Sequence, residues 1–91
     1  MAFTLYQTGM LSGLPDKQVF EQDNLTVGDF FRQLSAQHGD HVLEKIFDQE
    51  GKVSEDVLVA INGTIIKPSE ILAAVIPPES QMLISVLIAG G

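Results

Sequence analysis

The sequence contains no cysteine and no tryptophan, a single tyrosine, and five basic residues against twelve acidic ones. Without cysteine the chain can form no disulfide, no thiolate metal ligand and no cysteine nucleophile. Its formal net charge of −7 argues against nucleic acids and anionic membrane surfaces as partners, because both attract basic patches. The same charge permits electrostatic steering toward a basic protein surface.

Long hydrophobic runs are also missing. The longest, residues 71–76, falls far short of the roughly 20 apolar residues that a membrane-spanning helix needs. Residues 1–4 do not combine a basic stretch with an apolar one, so we expect no export signal and a cytoplasmic location. The 91 residues, 45% of them hydrophobic, fit one small domain.

The first half of the sequence predicts a hairpin followed by a helix. Apolar and polar residues alternate over residues 3–8, turn residues occupy 13–16, and residues 17–21 can return as a second strand. Thr26 is suited to cap the helix N-terminus, with Asp29 reaching back toward it. Apolar residues then recur at helical spacing, and Gly39 is a natural end.

The second half predicts further strands. In chain order we expect a segment that is either helix or loop over 41–52, a strand over 57–61 ended by an Asn62-Gly63 turn, a very short strand at 65–66, a helical turn capped by Ser69 and running to 75, and a last strand over 82–88.

This order of elements predicts an α+β domain with its helix packed on one face of a sheet. Strand alternation directs one set of side chains toward the helix, namely Phe3, Leu5, Val57, Val59, Ile61, Ile84 and Val86. Leu58, Leu83 and Leu87 point to the opposite face, where they form a candidate docking surface.

No independent active site is apparent. The sequence contains no Ser-His-Asp arrangement, phosphate-binding loop or dinucleotide fingerprint. His38 and His41 straddle the expected helix end at Gly39, which favours a simple helix-terminus role over a metal site. We therefore expect no bound metal and no enzymatic activity of the chain itself.

Three segments carry a resemblance to a known family: residues 26–30, residues 59–63, and the last strand running into Ala89-Gly90-Gly91. Together they resemble the ubiquitin-like β-grasp sulfur carriers, namely the small subunit of molybdopterin synthase and the thiamin-biosynthesis sulfur carrier. The resemblance implies a ubiquitin-like β-grasp fold over residues 1–88, with a mixed sheet of four to five strands and one main helix on one face. Residues 89–91 would then be a flexible Gly-Gly tail. Glu79-Ser80-Gln81 departs from the Gly-Asp that both relatives commonly show.

The same resemblance implies a chemistry. An E1-like enzyme would use ATP to adenylate the carboxylate of Gly91, and a sulfur-donor protein would supply the sulfur of a thiocarboxylate. Gly90 lacks a Cβ and can enter a narrow channel. Ile88 and Ala89 complete the tail and would contact the partner together with Leu58, Leu83 and Leu87. The chain itself would hold no cofactor.

The sequence leaves four functions open. The favoured one is molybdopterin (molybdenum or tungsten cofactor) biosynthesis, in which the tail enters the large subunit of molybdopterin synthase. The alternatives are sulfur delivery to thiazole synthase for thiamin, a ubiquitin-like modifier joined through Gly91 to a lysine, and a β-grasp interaction domain that is never conjugated.

Deleting Gly91 should abolish activation and leave the thermal unfolding temperature nearly unchanged, because the tail is expected to lie outside the core. Calorimetry of the deleted and full-length chains, beside an activation assay, checks this. A large drop in the unfolding temperature would contradict the assignment of residues 89–91 to a tail.

Overall fold

The alternation at the N-terminus forms a strand in the computed structural model, which describes residues 2–22 and 24–86. The strands are β1 (Phe3–Gln7), β2 (Lys17–Phe20), β3 (Val57–Ile61), β4 (Thr64–Ile66) and β5 (Gln81–Val86). The one α-helix of the described residues, α1, spans Val27–His38, and short 3-10 helices occupy Asp40–Leu43 and Pro68–Glu70.

The five strands form one mixed sheet in the order β2-β1-β5-β3-β4. β1 and β5 run parallel, whereas the β1–β2, β3–β5 and β3–β4 pairs are antiparallel. β5, the last of these five strands in chain order, therefore lies in the centre of the sheet. The predicted α+β fold, with four to five strands and one main helix, is confirmed.

The core lies between the sheet and α1. Phe30 of the helix packs edge-on against Phe3 and Phe20, with ring centroids 5.2 and 4.8 Å apart. The predicted inward side chains of β1, β3 and β5 contribute the sheet side of this core: Phe3, Leu5, Val57, Val59 and Ile84 are buried and Ile61 is partly buried.

Val86 departs from this pattern. It pairs with Val57 and so shares the helix-side face of the sheet, but its side chain is 44% exposed whereas Val57 is 4% exposed. Alternation along a strand determines which face a side chain occupies. It does not determine whether another element covers that face, and Val86 lies at the uncovered end of β5.

Thr26 caps α1 as predicted. Its side-chain Oγ1 accepts a hydrogen bond from the backbone N–H of Asp29 at 3.0 Å. The Asp29 carboxylate in turn pairs with Arg32 one turn further along the helix. The hydrogen bond from Arg32, and then those from Thr26, hold the pKa of Asp29 below its ordinary value.

The first N–H groups of α1 are also bound from outside the helix. Val27 N donates to Ala74 O at 2.8 Å and Gly28 N donates to Leu72 O at 3.0 Å. Further along the same segment, the backbone N–H of Ile76 donates to the carbonyl oxygen of Leu25 at 2.7 Å. Helix N-termini leave such donors without intrahelical partners, so the 72–76 segment satisfies the start of the helix.

This contact explains the glycine at position 28. A Cβ added to Gly28 would lie 3.0 Å from the backbone carbonyl oxygen of Leu72, which is closer than a carbon and an oxygen normally approach. Leu72 O is the acceptor of the Gly28 N–H, so it cannot withdraw without losing that hydrogen bond.

Two predicted segments need correction or completion. The ambiguous 41–52 stretch is a 3-10 helix at Asp40–Leu43 followed by a turn that the Phe47–Val53 bridge closes. The second helical segment is capped by Lys67 rather than Ser69, and it ends as a 3-10 helix at Glu70. Pro68 lacks an N–H and has a helix-compatible φ, so it starts the helix one residue before Ser69.

Gln7 organises the connection between β1 and β2. The side chain is 3% exposed, and its Nε2 donates to the carbonyl oxygens of Leu14 and Pro15, both at 3.0 Å. Its Oε1 accepts from the Leu11 N–H at 2.6 Å. One buried amide therefore supplies the hydrogen bonds that the irregular backbone of residues 11–15 would otherwise lack.

Gly28→Ala should destabilise the protein by about 1–3 kcal/mol, the usual cost of overpacking a close contact. Glycine-to-alanine changes inside unobstructed helices are stabilising by roughly 0.5–1 kcal/mol, so the sign of the change is diagnostic. Urea unfolding midpoints measure it, with Gln37→Ala, an exposed position of α1, as the matched control. A stabilised Gly28→Ala protein would refute the close approach.

Candidate functional site: the open face of the sheet

The face of the sheet opposite α1 follows from the strand register. Residues paired across neighbouring strands share a face, so one row runs across all five strands. From β2 to β4 its members are Lys17, Tyr6, Leu83, Ala60 and Ile65. We call this face, with the adjacent outward residues of the same strands, the open face.

The predicted docking leucines of β3 and β5 lie together on the open face. Leu83 pairs with Ala60, and Leu58 pairs with Ser85, which makes the two leucines diagonal neighbours at a spacing of about 7–8 Å. Both side chains are half-buried. Their role in partner binding stays a prediction. Leu87, Ile88, Ala89, Gly90 and Gly91 lie outside the described residues.

The open face is apolar along most of its width. Ile65 on β4 is 66% exposed and Val19 on β2 is 54% exposed. Between them lies a shallow cavity of about 400 Å³, lined by Tyr6, Ala60, Gly63, Gln81, Met82 and Leu83. Exposed apolar surface of this kind on a small domain marks a candidate protein-binding site.

Charge is nearly absent from this face. Among the described strand residues that point to it, Lys17 is the one charged side chain and no carboxylate occurs. Lys17 Nζ lies 5.6 Å from the centroid of the Tyr6 ring, a cation–π geometry worth roughly 0.5–1 kcal/mol at an exposed site. The net charge of −7 is therefore carried by other surfaces.

Sequence reasoning identified the leucines but missed Tyr6 and Lys17. Alternation places Tyr6 outward, yet nothing in the sequence pairs it with Lys17, because that contact depends on the β1–β2 register. A lysine at the start of a strand after a turn does not by itself indicate which side chain it will contact. Side-chain alternation combined with the correct hairpin register would have found the pair.

The open face meets a polar edge beside β5. The hydroxyls of Thr8 and Ser85 lie 2.9 Å apart and share a hydrogen bond. At the other end of β5, Asn62 Oδ1 accepts the Gln81 N–H at 3.0 Å, and Asn62 N donates to Gln81 O at 2.8 Å. The predicted Asn62-Gly63 turn thus also binds the start of the central strand.

Residues 2–22 and 24–86 also bear on two other kinds of site. No group of three or more His, Asp or Glu side chains there is arranged to hold a metal ion. No helix in that part of the chain is long and apolar enough to cross a membrane. The open face is the candidate site that the described geometry favours, because it combines exposed apolar side chains, a shallow cavity and a lysine.

No protein-family model matches the sequence, and no curated protein matches it. Solved structures do resemble it. SAMP1 from Haloferax volcanii superposes with a TM-score of 0.70 at 17% identity, over 100% of both chains. The Haloferax volcanii HVO 2177 protein gives a TM-score of 0.67 at 23% identity, over 100% of this chain and 87% of that one.

A second structure of the first protein, described as H. volcanii small archaeal modifier protein 1, gives a TM-score of 0.69 at 17% identity, over 96% of this chain and 98% of that one. At these identities the likeness shows the fold. With the strand order β2-β1-β5-β3-β4 and one helix on one face, the chain has the ubiquitin-like β-grasp fold. Two of these three solved structures carry the name SAMP1 or small archaeal modifier protein 1.

Alanine substitutions at two consecutive residues of β5 should differ in their cost in unfolding free energy, because one side chain lies in the core and the other on the open face. Met82 is fully buried, so Met82→Ala should cost about 2–5 kcal/mol of unfolding free energy. Leu83 is half-buried on the open face, so Leu83→Ala should cost clearly less. Urea denaturation of both variants checks the order, and equal losses would place Leu83 in the core.

Proposed function

We propose that the chain is a ubiquitin-like carrier whose C-terminal carboxylate, on Gly91, is activated by an E1-like adenylating enzyme. The observation that carries the proposal is the position of β5. This strand is hydrogen-bonded on both sides in the centre of the sheet, and it leads in the sequence into residues 87–91, which include the Ala89-Gly90-Gly91 of the family resemblance. In the proposed carrier, the partner enzyme recognises the sheet and receives the Gly90-Gly91 segment.

The open face supports the proposal, because an activating enzyme needs a surface by which to recognise the body of the carrier. Leu83 belongs to β5 itself, so a partner that covers it also lies along the strand that leads to the C-terminus. The apolar cavity beside Tyr6 and Leu83 can accept a projecting side chain. Lys17 above the Tyr6 ring would favour a carboxylate at the edge of the partner's surface.

The proposed reaction begins at the Gly91 carboxylate. One of its oxygens attacks the α-phosphorus of ATP and pyrophosphate leaves, which gives an acyl-adenylate. A hydrosulfide ion, HS⁻, which a sulfur-donor protein delivers already at the sulfide level, then attacks the carbonyl carbon. The carbon–sulfur bond forms as the carbon–oxygen bond to AMP breaks. The product is a C-terminal thiocarboxylate, and the catalytic groups for each step belong to the partner enzymes.

More specifically, we propose that this thiocarboxylate supplies sulfur for molybdopterin synthesis, with the tail inserted into the large subunit of the synthase. It rests on the sequence resemblance of residues 26–30, 59–63 and 89–91. Delivery to thiazole synthase in thiamin biosynthesis is the alternative within the same chemistry. Either destination uses the chain as a protein co-substrate without an active site of its own.

A second fate is favoured by one specific observation. The solved structures that resemble the chain include one described as small archaeal modifier protein 1, which matches over 96% of this chain. In a modifier, a lysine amine of a target protein takes the place of the sulfur nucleophile, so that Gly91 ends in an isopeptide bond. The adenylation step is common to both fates.

The experiment is intact mass spectrometry of the chain after incubation with ATP, the E1-like enzyme of its source organism and a sulfide donor. Replacement of one oxygen by sulfur is expected. A second incubation with cell extract from the source organism tests the modifier fate, which predicts covalent attachment to larger proteins through Gly91. An unchanged mass in both incubations would refute activation of the C-terminus.

Leu83→Asp should raise the KM of the activating enzyme for the chain at least tenfold, because a carboxylate on the apolar open face must be desolvated on binding. The kcat should change little, since Gly91 is untouched. Leu72→Asp on the helix side is the matched control and should retain the original KM. Equal KM values for the two variants would remove the open face from partner recognition.

A further inference from the structure

A second apolar surface lies on the opposite side of the molecule and is not used by the proposed function. A cleft of about 270 Å³ runs between α1 and the 3-10 region, with Phe31, Leu43, Phe47 and Leu72 among its walls. A neighbouring cleft of about 530 Å³ includes Val53, Pro68 and again Leu72. Leu72 is 39% exposed and joins the two into what we call the Leu72 groove.

The walls of the Leu72 groove are fixed by contacts already within the fold. The backbone of Leu72 is held by the Gly28 N–H at 3.0 Å. On the other wall, the rings of Phe31 and Phe47 meet edge-on with centroids 6.1 Å apart, and Phe47 bridges to Val53. A groove with rigid walls can receive an apolar side chain without a large ordering cost.

The charged groups that line the groove without a salt bridge among the described residues are acidic. Asp48 and Glu55 line it directly. Its two cations, Arg32 and Lys52, are each already paired with a further acid, Asp29 and Glu50 respectively. Two carboxylates and two cations therefore line the groove, and because each cation is already paired with a neighbouring acid, Asp48 and Glu55 are left without a salt bridge among the described residues. The Asp48 carboxylate is held in place by the N–H groups of Glu50 and Lys52 at 2.9 and 3.0 Å.

The acids of the chain are also concentrated in the sequence segment that supplies part of the groove. Half of the twelve acids of the chain fall within residues 40–56, which also supply the groove residues Leu43, Phe47 and Val53. The open face, by contrast, carries a lysine and no carboxylate on its strands. The two apolar surfaces therefore differ in charge, and they select partners of different chemistry.

We propose that the Leu72 groove is a docking site for a basic amphipathic segment of a partner protein. A large apolar side chain of that segment occupies the groove beside Leu43, Phe47 and Leu72. Lysine or arginine residues flanking it lie over Asp48 and Glu55. This site is separate from the open face, so a protein bound there leaves the activating enzyme's surface free.

The test is an amide NMR titration of the full chain with a short synthetic peptide of alternating lysine and leucine. Shifts are expected at Leu43, Phe47 and Leu72, and they should weaken as salt screens the charges. The counterpart peptide of glutamate and leucine should cause none there. Leu72→Ser should weaken binding several-fold, up to about tenfold, whereas Ile65→Ser on the open face should not.

Three outcomes would overturn the proposal. The lysine peptide could leave the groove amides unshifted at millimolar concentration. It could shift the open face instead, with Ile65→Ser as the weakening variant. The groove amides could also shift with protein concentration alone, which would show that a second copy of the chain occupies the groove. None of these outcomes bears on Gly91, so activation of the C-terminus is judged separately by the mass of the chain.

Discussion

The central position of β5 is the constraint on which the rest of the structure depends. Its hydrogen bonds to β1 on one side and β3 on the other join the N-terminal hairpin to the β3–β4 hairpin. Met82 and Ile84 supply the middle of the core from this strand, while Leu83 lies on the open face. The same strand therefore stabilises the sheet, contributes Leu83 to the open face and leads toward the C-terminus.

The second constraint is the attachment of the 72–76 segment to the start of α1. The carbonyls of Leu72 and Ala74 accept the N–H groups that a helix N-terminus leaves unpaired. This attachment requires a residue without Cβ at position 28 and places Leu72 at the surface. A contact that completes the helix thus also creates the groove on the helix side.

Charge is distributed unevenly over these two surfaces. The formal charge of −7 permits steering toward a basic partner, but it does not locate the acids relative to the leucine-bearing open face. The register shows that the strands of this face carry Lys17 and no carboxylate, and that the acids concentrate in residues 40–56. A net charge describes the whole chain, and only the fold decides which surface presents it.

Local patterns were sufficient to predict much of the fold. The Thr26 cap, the apolar face of α1, the Asn62-Gly63 turn and the inward and outward residues of β3 each depend on neighbours close in sequence. Contacts between distant segments were not predictable in this way. The approach of Leu72 to Gly28, the Tyr6–Lys17 pair, the exposure of Val86 and the start of the second 3-10 helix at Pro68 were found only in the structure. The leucines of the candidate site were predicted, whereas its charge and its cavity were not.

The central claim is that the chain presents a C-terminal carboxylate for adenylation. Exchange of labelled pyrophosphate into ATP by the E1-like enzyme of the source organism measures that step directly, without a sulfur donor or a downstream partner. If Gly91 is adenylated, exchange should require the chain with Gly91 in place and should disappear when Gly91 is deleted. Exchange that proceeds equally with the deleted chain, or no exchange with the full-length chain, would contradict it.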